Sequence, residues 1–208
     1  KNDKFPMMNV TCAILAGGFS TRIGQDKATL IINGKPLMNH VYERVQTIFN
    51  DIVIVSSNHS GFKYIDAPVI KDILPIKSPM VGIVSALVYS HNPYVYVCAC
   101  DMPYLNEDAI RYIIESIDGK DIVIPKTNKG FEPLSAIYNR ACISCMFTLL
   151  EHNKLKISKV FPGLTMNILG DNPIFYNKGR SVFTNINTLE DLETVKNDII
   201  HQKENLRA

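Results

Sequence analysis

Apolar and polar residues change period along this chain in a regular order. Residues 10–16 form a run without charges that stops at two glycines, which reads as a buried strand. Residues 28–32 give a short extended run that ends at an Asn33-Gly34 turn. Pro36 suits the first turn of a helix. The period beyond it predicts that helix over 37–48, with Leu37, Val41, Val45 and Ile48 on one face. Strands follow at 51–55 and 67–71, the latter ending at Asp72. Residues 74–79 show no clear period and hold Pro75 and Pro79, which predicts a mobile loop. A helix over 79–90 carries the stripe Val81, Val84, Leu87 and Val88. Residues 94–100 are continuously apolar, as a strand buried on both faces must be, and they stop at Asp101-Met102-Pro103.

The second half is patterned less sharply. Asn106 is placed to cap a helix running to Ile117. Strands are expected at 121–125 and 134–138, then a helix over 140–152. Residues 154–170 read as a short helix followed by a strand. A last strand is expected at 183–186. Thr188 then opens the final helix, with Asp191 three residues on as in a capping box. Leu189, Leu192, Val195 and Ile199 give that helix an apolar face.

Strands alternating with helices imply an α/β fold: a mostly parallel sheet, joined by right-handed crossovers and covered on both faces. Length favours one domain over 1–208, with 1–9 as a loose leader. In such sheets ligands bind beyond the carboxyl ends of the strands. The glycine-rich stretch after the first strand, Asp72 and Asp101 all fall at such ends.

That stretch is Leu15-Ala16-Gly17-Gly18-Phe19-Ser20-Thr21-Arg22-Ile23-Gly24-Gln25-Asp26-Lys27. Glycines let main-chain N–H groups approach a ligand, and a concave row of them binds an anion. Arg22 and Lys27 add positive charge, so the loop reads as a polyphosphate cradle. It is not Walker A, because five residues separate Gly18 from Gly24 and Lys27 does not follow Gly24 directly. Nor does it contain GxGxxG. It resembles LAGGxSxRMGxDK, the signature of nucleotidyltransferases with a Rossmann-like domain, departing only at Ile23. With Gly17-Gly18 paired, the resemblance is closest to the molybdenum cofactor guanylyltransferase (MobA) family.

The resemblance implies a three-layer Rossmann-like nucleotidyltransferase domain that transfers GMP from GTP to the phosphate of molybdenum-molybdopterin, releasing pyrophosphate. It implies Leu15, Ala16, Gly17, Gly18, Lys27, Asp72, Gly82 and Asp101 as GTP contacts, with Arg22, Lys27 and Asp101 as catalytic residues. Asp101-Met102-Pro103 is similar to the family's metal-binding D-x-P, which implies Mg²⁺ on Asp101; read alone, Asp101 is equally a turn aspartate. Ser78-Pro79-Met80-Val81-Gly82-Ile83 departs from the family's G-P-L-x-G-I at Ser78 and Met80. At the end of the second strand Ser56 stands where the family often has Asn, and Asn58 lies two residues on. Residues 132–138 resemble its P-L-x-A-L-Y segment. Residues 183–192 resemble its F-x-N-x-N-T-x-E-D-L, which implies acceptor contacts by Asn185 and Asn187. On an extended strand both amides face one side; the other reading is a turn that starts the last helix. The partners implied are GTP, a molybdopterin-type acceptor, and the molybdoenzymes or chaperones that take the product. CTP-dependent or sugar-phosphate nucleotidyltransferases are the near alternatives. A non-catalytic cofactor-delivery protein is the distant one.

Composition adds boundaries. Net charge is +2, without the clustered basic face that nucleic acid requires. No apolar run reaches the roughly 18 residues of a membrane helix. Lys1, Lys4 and the apolar run beyond could pass for a signal peptide, but cleavage there would remove the phosphate loop. Five cysteines, an odd number without CxxC pairs, read as reduced thiols in a cytoplasmic protein. Cys98 and Cys100 flank Ala99 beside Asp101; core thiols are the expectation, since no further spacing completes a ligand set.

Overall fold

The computed structural model describes residues 9–17, 27–57, 62 and 65–205. The described residues form an eight-stranded mixed sheet with β1 (Val10–Leu15) in its interior, its residues all buried. Parallel neighbours flank β1 on both sides: β4 (Ile52–Val55), which leads on to β5 (Val69–Ile70), and β6 (Tyr94–Ala99). Beyond β6 lie β9 (Ser135–Asn139), β7 (Ile122–Thr127) and β10 (Met166–Leu169). The order is β10-β7-β9-β6-β1-β4-β5, with β8 (Gly130–Phe131) paired to β7. β9 runs antiparallel to both its neighbours, because the short β7–β8 turn sends the chain straight back along the sheet. The sheet is therefore mixed, with all its strands from β6 to β5 parallel.

Period two along β1 divides the core. Cys12 and Ile14 face one side and pack with α1 (Leu37–Val45) and α3 (Glu107–Glu115). Ala13 and Leu15 face the other side and pack with α2 (Pro79–Tyr89) and α4 (Cys142–Glu151). Helices thus cover both faces in three layers. Asn106 caps α3, its Oδ1 accepting from Ala109 N at 2.8 Å. A smaller core of Leu30, Ile32, Leu37, Ile186, Leu192 and Val195 holds α5 (Leu189–Asn205) against β2 (Ile31–Ile32). The capping box forms: Thr188 N donates to Asp191 Oδ2 at 2.8 Å, and Asp191 N to Thr188 Oγ1 at 3.1 Å.

Several expectations are corrected. Residues 27–29 form a 3₁₀ turn, so the extended run shrinks to β2, which pairs with β3 (Lys35–Pro36) across Asn33 and Gly34. Both turn residues have positive φ, 49° and 79°, the conformation an Asn-Gly hairpin needs. Pro36 therefore precedes α1 instead of opening it. Val88 is exposed, whereas Met80 to Leu87 are all buried, because α2 is wedged between the sheet and α4 and has no solvated stripe there. Residues 183–186 are not a strand. Phe183 and Ile186 bury by packing, Phe183 against the Phe175 ring at 5.0 Å. The hairpin lies earlier, as β11 (Tyr176–Asn177) and β12 (Arg180–Ser181), turning through Lys178 and Gly179 at φ 49° and 77°. Leu189 is exposed, since it opens α5 beyond the reach of the core; the side chain of Ile199 lies outside the described residues.

None of the five cysteines is in a disulfide, and Cys98 and Cys100 are core residues. Among the described residues no cluster of three or more His, Cys, Asp or Glu side chains could hold a metal. Among them, too, no helix is long and apolar enough to cross a membrane.

Candidate active site

Register fixes the rim. Leu15 pairs with Val55 on one side and Ala99 on the other, so β1, β4 and β6 end level. The ladder continues one step past the strands: Ala16 N donates to Val55 O at 2.9 Å and Cys100 N to Leu15 O at 3.1 Å. Ser56, buried, donates its hydroxyl to Ala16 O at 3.3 Å, and its own N–H goes to Ile70 O at 2.9 Å. Ser56 thus supports the start of the glycine loop from below; Asn58 lies outside the described residues.

From this stitched edge three segments rise together. Gly17 is exposed where the glycine loop begins. Asp72 stands two residues past β5, and its Oδ2 lies 4.0 Å from where a Cβ on Gly17 would sit. A carboxylate from one loop therefore faces the bare backbone of another. The Asp72 residue as a whole is exposed, but its carboxylate leans on α2, and burial there pushes its pKa up; the Ser85 hydroxyl opposes that rise. Asp101 stands two residues past β6 and is buried. Gly18 and Arg22 lie outside the described residues, as does the side chain of Lys27, whose backbone opens the 3₁₀ turn after the loop.

Asp101 meets a segment 85 residues away in the chain. Its carbonyl accepts from Ile186 N at 2.9 Å, which sets Asn185 beside it. The Oδ1 of Asn185 is buried and has no hydrogen-bond partner among the described residues. Buried amide oxygens are nearly always satisfied, so this one points to a missing ligand or water. Asn187 is exposed, and its N–H is taken by Asp191 at 2.9 Å. The segment is not a strand, and the two asparagines differ in exposure: the Oδ1 of Asn185 is buried, whereas Asn187 is exposed.

The space a side chain at Gly82 would need is taken by Leu15. A Cβ there would meet Leu15 Cδ2 at 3.1 Å and Cδ1 at 3.3 Å. The missing side chain makes room for Leu15, the last residue of β1, and Leu15 in turn reaches the rim. The 74–79 loop before α2 is anchored at both ends. Ile73 N donates to Ser85 Oγ at 3.0 Å, and Ser78 caps α2 while donating to Leu155 O at 3.1 Å.

Two groups escaped the sequence. Ser85 is the one polar side chain in the buried stretch of α2, and that isolation was the available signal. Tyr104, just after Asp101-Met102-Pro103, donates its hydroxyl to Asp198 at 2.6 Å and lies under the Arg180 guanidinium at 4.8 Å. Arg180 also pairs with Asp198 at 3.2 Å. These three residues clamp α5 and the β11–β12 hairpin to the Asp101 loop. Nothing in their spacing announced it.

Residues 12–161 match the model of the MobA-like NTP transferase domain. A probable molybdenum cofactor guanylyltransferase of Natranaerobius thermophilus is 36% identical over 195 residues, covering 90% of this chain and 95% of its own. One from Clostridium perfringens is 33% identical over 202 residues, covering 95% of this chain and all of its own. Among solved structures, molybdopterin-guanine dinucleotide biosynthesis protein A from Archaeoglobus fulgidus superposes with a TM-score of 0.79 at 25% identity, covering 92% of this chain and 99% of that one. The site built at the ends of β1, β5 and β6 is thus the rim of a nucleotidyltransferase sheet, and the chain belongs to the MobA-like NTP transferase family, among its molybdenum cofactor guanylyltransferases.

Proposed function

We propose that this protein transfers GMP from GTP to the terminal phosphate of a molybdopterin-type acceptor carrying molybdenum, yielding a guanine dinucleotide and pyrophosphate. One observation carries the reading. The guanylyltransferase relatives match nearly the whole chain, beyond the nucleotidyltransferase model that ends at 161. It is the part beyond 161 that brings Asn185 to Asp101.

The chemistry asks for alignment and charge neutralisation. An acceptor phosphate oxygen forms a bond to the α-phosphorus of GTP while the bond from that phosphorus to the bridging oxygen of the pyrophosphate breaks. The phosphate is already anionic at neutral pH, so no general base is required. Loop N–H groups from Gly17 onward, Arg22 and Lys27 hold the triphosphate and offset charge moving onto the leaving pyrophosphate. Asp72 contacts the donor nucleotide, and Leu15 borders it.

The donor chemistry at Asp101 suits Mg²⁺. It offers one carboxylate, and Asn185, whose amide oxygen is buried, directly precedes the residue whose N–H bonds the Asp101 carbonyl. Mg²⁺ takes hard oxygen ligands, often only one or two carboxylates with substrate phosphates and water. Asp101 would hold the ion, whose contribution is to neutralise phosphate charge. Asn185 serves either that ion or the acceptor.

The test is pyrophosphate release from GTP in Mg²⁺, with and without molybdopterin. Release that requires both supports the reading, and Asp101→Asn should lower kcat at least 100-fold, a loss typical of one electrostatic group that acts in the transition state. Release with CTP but not GTP would overturn the base, and full activity of Asp101→Asn would overturn the metal assignment.

A further inference from the structure

We infer that Ser85 is a positioning residue for the reaction: its hydroxyl docks the Asp72 loop on α2 and so aims the Asp72 carboxylate at the glycine loop. Ser85 is buried in an otherwise apolar stretch of α2. Its hydroxyl donates to Val81 O at 2.8 Å, one turn back in the same helix, and accepts from Ile73 N at 3.0 Å. It also reaches the carboxylate of Asp72. The hydroxyl has one proton, which goes to Val81 O or to the Asp72 carboxylate, while a lone pair accepts from Ile73 N. One oxygen therefore holds the loop through the backbone of Ile73, with the Asp72 carboxylate of the preceding residue beside it.

The dock matters because β5 is only two residues long and ends at Ile70. Past that point the sheet ladder no longer holds the chain. Between Ile70 and the cap at Ser78, Ser85 supplies the hydrogen bond that holds the segment at Ile73. Asp72 Oδ2 then comes to 4.0 Å from the Cβ position of Gly17. Ser85 itself is below the rim and touches no reacting atom. Its action on the nucleotide passes through Asp72, and the inference rests on Asp72 being a donor-nucleotide contact.

The experiment is steady-state pyrophosphate release against GTP concentration for wild type, Ser85→Ala, Asp72→Ala and the double variant, with the thermal midpoint of each. Ser85→Ala should raise KM for GTP about tenfold, the scale of one hydrogen bond to a charged group, and leave kcat within about twofold. In the Asp72→Ala background the same change should leave KM unchanged, because the carboxylate it aims is gone. A merely structural serine would add its effect in both backgrounds, so additivity overturns the inference. An Asp72→Ala effect on KM without any from Ser85→Ala overturns the positioning role alone. If Asp72→Ala leaves KM unchanged, the reading of Asp72 falls and this inference with it.

Discussion

Replacing Gly82 by alanine tests whether Leu15 borders the nucleotide. The new Cβ would stand 3.1 Å and 3.3 Å from the two methyl carbons of Leu15, and 3.7 Å from its Cγ. Carbon pairs are comfortable at about 3.5–4.0 Å, so the leucine tip must withdraw by a few tenths of an ångström. Its backbone cannot follow, being locked between Val55 and Ala99 with its carbonyl taken by Cys100. The neighbours inward on that face, Val53, Val97 and Ile83, are fully buried, leaving the rim as the open direction. Two opposing terms set stability. Alanine is better than glycine in a helix by about 1 kcal/mol. Overpacking costs about 1–3 kcal/mol, and a methyl tip with room to move takes the low end. The net change should stay within about 1 kcal/mol, which is about 4 °C or less in thermal midpoint for a domain of this size. Nucleotide binding has no such compensation. A leucine tip pushed toward the rim should raise KM for GTP about tenfold, about 1.4 kcal/mol, with little change in kcat. Thermal melts and pyrophosphate release against GTP concentration measure both quantities. Adding Leu15→Ala should relieve the crowding and recover part of the affinity. An unchanged KM with an unchanged melt would refute the reasoning. So would a midpoint lowered by about 8 °C or more at constant KM, since the strain would then have gone into the core.

Toward the opposite, amino-terminal end of the strands, Thr11 is fully buried and donates to Asp51 Oδ2 at 2.5 Å, accepts from Asn92 Nδ2 at 3.1 Å and pairs with Ser90 Oγ at 2.6 Å. Thr11→Val removes the shorter of two hydrogen bonds to the Asp51 carboxylate, leaving that from Asn92 Nδ2 at 3.1 Å, and should cost about 1.5–3 kcal/mol, lowering the melting midpoint by roughly 3–12 °C. KM for GTP should not move, because this cluster lies a full strand length from the rim; a change there would mean the two ends of β1 are coupled. Glu132 offers a pH test. Burial raises its pKa above the ordinary 4.5, while the Thr127 hydroxyl at 3.0 Å and Lys129 pull it down. A carboxyl with a raised folded pKa stabilises the fold fully below its unfolded pKa, and that contribution is lost as pH rises through the folded value. Glu132→Gln keeps the hydrogen-bond acceptor without the charge, so its stability relative to wild type should be greater at pH 7 than at pH 4. A difference that is constant with pH, or reversed, would contradict the burial argument.

Local and short-range physics was legible in the chain. The uninterrupted apolar runs at 10–15 and 94–99 had to be buried strands, since only an interior strand excludes water from both faces. Glycines 17 and 18 and the carboxylates at 72 and 101 fell at strand ends by simple alternation. Asn33-Gly34, Asn106 and the Thr188-Asp191 pair are turn and cap chemistry, decided within four residues. Tertiary structure alone decided the rest. That β9 inserts between β6 and β7, antiparallel to both, is set by its pairing with two strands from elsewhere in the chain, which its own residues do not specify. That Gly82 makes room for Leu15, and that Ile186 is bonded to the Asp101 carbonyl, follow from contacts across 67 and 85 residues of chain. Hydrophobic burial sorts residues into inside and outside by their own composition. Which hydroxyl meets which carboxylate is settled only when separately formed elements pack, because a hydrogen bond requires its partner to arrive within about 3 Å.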